Sequence, residues 1–139
     1  MITPSDPALI AMVSQHEGLR LKPYRDSVGI WTIGYGRNLQ DVGIRQDEAR
    51  LMLENDLTVA MNDARFLFDD FAALTPNRQR VLVDMAFNLG RTRLAGFKAM
   101  WAALERGDFH AAAAEMKDSR WARQVGNRAD RLARMMKEG

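Results

Sequence analysis

HEGLRLKPYRDSVGIWTIGYG, residues 16–36, is the stretch in which the chain changes its period. Ahead of it, Asp6-Pro7 reads as an N-cap followed by proline at the first helical position, and Leu9, Ile10 and Val13 recur at helical spacing until Gly18 interrupts them. A short helix is predicted there. From Leu19 to Tyr35 the texture is β: Leu21 to Tyr24, a turn-prone Asp26-Ser27-Val28-Gly29, then Trp31, Ile33 and Tyr35 alternating with Thr32 and Gly34. A small hairpin is expected.

Outward from this stretch, a polar connection through Gly36, Asn38, Asp41 and Gly43 leads to a long helical run whose apolar line is Ala49, Leu53, Leu57, Ala60, Ala64 and Phe68. Thr75-Pro76 restarts helix, with Leu82, Met85, Ala86 and Leu89 on one face and Gly90 as its stop. Phe97, Met100, Trp101 and Leu104 run up to Gly107, Asp108 caps an alanine-rich helix to about Met116, and Asn127 precedes Ala129, Leu132, Ala133 and Met136. The expected fold class is α+β and mainly helical. It has an N-terminal lobe over about 1–45 with a small β-hairpin sheet, a long connecting helix over about 46–68 and a C-terminal helical bundle over about 69–139, forming one domain.

Composition narrows the function classes. The 139 residues are 47% hydrophobic, enough for a core, and contain no cysteine, which removes disulfides, a cysteine nucleophile and a thiolate metal site. With only His16 and His110 in the chain, no metal centre is expected. The N-terminus lacks a basic start and a long apolar run, so production in a cytoplasm is expected. The net charge of +2 hides an asymmetry: residues 1–70 hold 7 Lys+Arg against 11 Asp+Glu, and residues 71–139 hold 13 against 7. A cationic C-terminal half is drawn to anionic polymers of any kind, so charge does not choose among cell wall, nucleic acid and lipid.

Glu17 follows Leu9 and Val13 at steps of four, which places it on the face those residues would bury. Partial burial disfavours a carboxylate, so a glutamate there can stay protonated and act as a general acid. Asp26, nine residues on in the turn, is expected to be solvated and charged. Two carboxyl groups in opposite states are what glycosidic cleavage uses, one protonating the leaving oxygen and the other activating water. Thr32, on the returning strand, can place a hydroxyl beside Asp26. Each residue also has a plain structural reading, as a last-turn glutamate near a basic partner, a turn aspartate and a strand threonine.

The combined pattern His16-Glu17-Gly18-Leu19-Arg20-Leu21, Tyr24-Arg25-Asp26-Ser27 and Trp31-Thr32-Ile33-Gly34-Tyr35-Gly36 resembles the T-even phage lysozymes and their endolysin relatives, the muramidases of glycoside hydrolase family 24. The resemblance continues in order through Asp84-Met85-Ala86-Phe87-Asn88-Leu89-Gly90, Leu94-Ala95-Gly96-Phe97, Ser119-Arg120-Trp121 and Asn127-Arg128-Ala129. It implies a lysozyme-like fold and hydrolysis of the β-1,4 bond between N-acetylmuramic acid and N-acetylglucosamine in bacterial peptidoglycan, with cell lysis as the outcome. Glu17 is then the acid, while Asp26 and Thr32 hold water for attack with inversion. No cofactor is implied.

By the same resemblance, Arg128 matches an arginine that faces the catalytic glutamate, and Asn88 stands where relatives carry a cleft glutamine. Asn88 could hold a sugar acetamido group or tie two helices together. Trp31 could stack on a pyranose or pack beneath the hairpin, whereas Trp121 reads as a core anchor. Arg37 stands where many relatives have histidine, with Asp56 as its expected charge partner. The short segment between Gly36 and the long helix implies a shallower cleft than in the longer relatives, and no separate wall-binding domain is expected.

The basic series Arg120, Arg123, Arg128, Arg131, Arg134 and Lys137 reads first as a solvated face, with attraction to anionic envelope polymers or to a membrane surface as its alternative. Stable membrane insertion and nucleic-acid binding are not expected, and the protein is expected to be monomeric. Made in the producing cytoplasm, or the host cytoplasm if phage-encoded, it would reach the wall from the periplasm after release by a separate holin-type pore or other machinery. A binding or assembly module would be the rival reading, and its mark would be loss of the acid; Glu17, Asp26 and Thr32 are all present.

Overall fold

The computed structural model describes residues 1–139. Backbone contacts divide the chain into two compact units, Met1–Arg50 and Leu51–Gly139. The α+β class expected from the sequence is the one observed, with eight helices and one three-stranded antiparallel sheet.

In the first unit, α1 (Pro7–Glu17) starts as the Asp6-Pro7 pair dictates, with the Asp6 carboxylate accepting the Leu9 N–H at 2.9 Å. It stops at Gly18, whose φ of +71° carries the chain out of the helix. Strands β1 (Arg20–Arg25), β2 (Trp31–Gly34) and β3 (Arg37–Asn38) follow in spatial order β1-β2-β3. Pro23 is tolerated because β1 is an edge strand and its register against β2 shifts between Arg20 and Tyr24. The expected hairpin is β1 with β2, and β3 extends it. Only two residue pairs join β3 to β2, Thr32 with Asn38 and Ile33 with Arg37, and a strand of two residues is too short to show a period.

A correction concerns α1. None of its residues is buried: Val13 is 42% exposed, Ile10 50%, and Glu17 is exposed as well. Residues 7–13 are apolar without a break, so a line drawn at steps of four does not mark one buried face. Among residues 1–50 only Thr32, on the central strand, is buried.

Helix α2 (Gln46–Leu67) begins within the first unit and continues into the second. At its start, Glu48 Oε1 reaches back to accept the Arg45 N–H at 2.8 Å, which satisfies one of the orphan donors of the first turn. The same carboxylate binds Arg37 in a two-pronged pair at 2.8 and 2.9 Å. Arg37 therefore pairs with Glu48, not with the expected Asp56. Glu48 is in the first helical turn, next to the loop that brings Arg37, whereas Asp56 lies about 12 Å further along the helix at 1.5 Å per residue.

In the second unit, the rest of α2 and a single 3-10 turn at Phe71–Ala73 precede α3 (Pro76–Leu89), α4 (Arg91–Ala95), α5 (Lys98–Glu105), α6 (Phe109–Lys117), α7 (Arg120–Val125) and α8 (Asn127–Glu138). Side-chain caps start three of them, with Thr75, Asp108 and Ser119 each accepting a backbone N–H from the first turn. Gly90 ends α3 with φ +80°, as expected, but its carbonyl at once accepts the Leu94 N–H and opens α4. That five-residue helix is too short to be read from periodicity.

The hydrophobic core lies in this unit. Leu82, Met85, Leu94, Met100, Met116 and Met136 are its largest fully buried side chains, each contributing roughly 1.5–3 kcal/mol by removal from water. Trp121 is 3% exposed and meets Phe97 edge-to-face at 6.1 Å, so its expected role as core anchor is the one observed. Arg78 closes the end of α8, donating to the carbonyls of Met136 and Lys137 at 2.8 and 3.2 Å. The six basic residues from Arg120 to Lys137 are all exposed, while Ala129, Leu132, Ala133 and Met136 supply the buried face of α8. No helix is long and apolar enough to cross a membrane.

Candidate active site

The first unit brings Glu17, Asp26 and Thr32 onto one small scaffold: Glu17 ends α1, Asp26 follows β1, and Thr32 sits in β2. Asp26 is clamped by its own turn. Its Oδ1 accepts the N–H groups of Val28 at 3.0 Å and Ile30 at 2.8 Å, while its backbone exchanges hydrogen bonds with Gly29 and Ile30. Both donors converge on Oδ1, which leaves Oδ2 to other partners.

Ile30 fastens the second group too. Thr32 Oγ1 donates to the Ile30 carbonyl at 2.8 Å. A carbonyl can only accept, so the single hydroxyl proton of Thr32 is committed and the oxygen presents lone pairs alone. One residue of the turn thus orients an aspartate oxygen and a threonine oxygen as acceptors.

The exposed carboxyl of Glu17 lies against Gly36, just beyond β2: a side-chain carbon at that glycine would fall 2.5 Å from Oε2 and 3.0 Å from Cδ of Glu17. Gly36 has φ +73°, a conformation that glycine adopts without strain. The residue after it, Arg37, carries the pair with Glu48 and also donates to the Gly43 carbonyl at 3.2 Å. The Glu48 carboxylate lowers the tendency of Arg37 to lose its proton. In turn, the Arg37 hydrogen bonds, followed by the Arg45 N–H, hold the Glu48 carboxyl below the usual glutamate range.

The profile of the phage lysozyme family matches residues 14–138, which include Glu17, Asp26 and Thr32. The chain belongs to the phage lysozyme family. Among its relatives in that family's company is an endolysin of Acyrthosiphon pisum secondary endosymbiont phage 1, 33% identical over 110 residues that cover 76% of this chain and 73% of the relative. The probable T4-type lysozyme 2 of Dictyostelium discoideum is 26% identical over 92% of both chains. The pre-baseplate central spike protein Gp5 of Enterobacteria phage T4 is 29% identical over 95% of this chain, which spans only 28% of that protein's length.

Trp31 neighbours Thr32 on β2 and so points to the opposite face of the sheet, where the Arg25 guanidinium covers its ring at 4.5 Å. In the second unit, Asn88 Oδ1 accepts the Trp121 indole N–H at 2.7 Å and so ties α3 to α7. Asn88 is nevertheless exposed, and its amide N–H groups are free of that bond. Arg128 binds Asp84 through Nε and Nη2 at 2.9 and 2.7 Å. It lines a surface cavity of about 450 Å³ with Arg80, Asn127 and Arg131.

Two features of the site escape a reading of the sequence. Ile30 acts through backbone atoms, which an isoleucine in a turn does not advertise. Gly36 resembles any loop glycine until the fold puts Glu17 against it.

Proposed function

We propose that the chain is a muramidase that hydrolyses the β-1,4 bond between N-acetylmuramic acid and N-acetylglucosamine in bacterial peptidoglycan and so lyses the cell, residues 1–139 acting as one catalytic domain. Glu17 gives its proton to the glycosidic oxygen as that bond breaks. Asp26 and Thr32 hold the water that attacks the anomeric carbon from the opposite face, giving inversion.

The observation that carries this reading is the pair of oriented acceptors. A water bound to Asp26 Oδ2 and Thr32 Oγ1 donates one hydrogen to each, and its oxygen lone pair is left for the sugar. As the carbon–oxygen bond forms, the water proton passes to Asp26. Inversion by this route calls for carboxyl groups roughly 6.5–9.5 Å apart. Acid and base together need no cofactor.

Asn88 and Arg128 are assigned supporting contacts to the saccharide, Asn88 through its amide N–H groups. Trp31 is assigned a supporting role under the sheet. The protein works as a monomer on the wall from the periplasm, after production in the bacterial or host cytoplasm and release by a holin-type pore or by delivery machinery.

The test is release of reducing ends from purified Gram-negative peptidoglycan by the wild-type protein and a folded Glu17→Gln variant, with the anomer of the fresh product read by NMR. Loss of activity in the variant and an initial α-anomer are expected. Equal activity in both proteins would remove Glu17 as the acid, and an initial β-anomer would remove inversion.

A further inference from the structure

We infer that Gly36 is a positioning residue for Glu17: the absent side chain at this glycine is the seat of the acid's carboxyl group, and the Arg37–Glu48 pair keeps that seat from retreating. The inference rests on the reading of Glu17 as the general acid. It adds the device that aims the acid, which neither burial nor a hydrogen bond within residues 1–50 supplies.

The distances make the case. Ordinary van der Waals contact begins at 3.4 Å, and a β-carbon at Gly36 would stand 2.5 Å from Glu17 Oε2, 3.0 Å from Cδ and 3.4 Å from Cγ. The three contacting atoms are the far end of an exposed, flexible side chain, so it is the Glu17 carboxyl that gives way, not the backbone. To accept a methyl group the carboxyl must shift by about 0.9 Å, the shortfall between 2.5 and 3.4 Å. The loop is poorly placed to yield. Thr32 and Ile33 pair with Asn38 and Arg37 across it, and the Arg37 guanidinium is bound to both Glu48 oxygens and to the Gly43 carbonyl. Displacing a reacting group by about 1 Å can cost ~10²-fold in rate.

Gly36→Ala also meets a backbone penalty, because φ is +73°. Gly107 supplies the control: φ is +71°, nothing lies within 4 Å of its would-be β-carbon, and it stands between α5 and α6, away from every residue assigned to the site. Gly107→Ala thus carries the conformational strain without the contact.

The experiment compares Gly36→Ala, Gly107→Ala and wild type by steady-state kinetics on soluble peptidoglycan fragments, and by the ¹³C chemical shift of the Glu17 carboxyl at one pH. The expected result is a kcat about 10²-fold lower in Gly36→Ala with KM within a few-fold, together with a displaced Glu17 carboxyl signal, while Gly107→Ala matches wild type in both. If Gly36→Ala and Gly107→Ala give the same kcat and the same Glu17 signal, the inference is overturned. Should Gly36→Ala not fold, the pair Glu17→Ala/Gly36→Ala decides, since truncating Glu17 removes all three contacting atoms. Recovery of the melting temperature to that of Glu17→Ala/Gly107→Ala supports the seat, and no recovery refutes it. The carboxyl signal and the melting cycle report on the contact even if Glu17→Gln keeps activity, so failure of the catalytic reading and failure of the seat are told apart.

Discussion

Replacing Thr32 by valine separates what the residue does for the fold from what it does for water. Valine has the same branched shape and suits a strand, so the 4% exposed position stays filled. The loss is the hydrogen bond to the Ile30 carbonyl, worth about 0.5–1.5 kcal/mol net, against which the added methyl group returns up to about 0.8 kcal/mol. The expected destabilisation is therefore about 1 kcal/mol or less. At about 2.1 cal/mol/K of unfolding entropy per residue, the 139-residue chain loses about 3–4 °C in Tm at most.

Activity should fall much further. One of two acceptors for the attacking water is gone, and positioned acid–base chemistry contributes ~10²–10⁴-fold, so a loss of ~10²-fold in kcat is expected. That is about 2.7 kcal/mol in the barrier. Thr32→Ser keeps the hydroxyl and should stay within about tenfold of wild type. The assays are thermal melting and reducing-end release at saturating substrate. The reasoning fails if Thr32→Val retains kcat within about threefold, or if the serine variant is as impaired as valine while both melt normally.

Two further outcomes concern the scaffold. Glu48 is held below the usual glutamate range when folded, so its contribution to stability is present above the ordinary value of about 4.3 and is lost as pH falls through its lower folded value. Glu48→Gln should therefore flatten the acid limb of a stability–pH curve below about pH 4.3; an unchanged limb would show that the Arg37 pair contributes nothing to folding. Leu82 is 0% exposed in the helical core, and Leu82→Ala should cost about 2–5 kcal/mol in denaturant melts. A cost under about 1 kcal/mol would mean that the core around α3 collapses onto the gap.

The local punctuation of the chain determined most of the helices, because a cap and a terminator act within a few residues. Asp6-Pro7, Thr75-Pro76 and Asp108 start helices where their side chains can bind the first free N–H groups, and Gly18 and Gly90 end them at positive φ. The spacing of Glu17, Asp26 and Thr32 was legible for a similar reason: a helix end, a turn and a returning strand follow one another without a long connection. Elements of two to five residues, such as β3 and α4, were not legible, since they are shorter than any period that could reveal them.

Tertiary structure alone decided which groups face each other. It left α1 without a buried face, gave Arg37 to Glu48 rather than Asp56, turned Trp31 to the side of the sheet away from Thr32, and laid the Glu17 carboxyl on Gly36. Burial and partnership depend on residues brought together from different elements, whereas sequence spacing records only neighbours along a single element. The residue types marked Glu17 as a candidate acid, and only folding laid its carboxyl beside the bare Cα of Gly36.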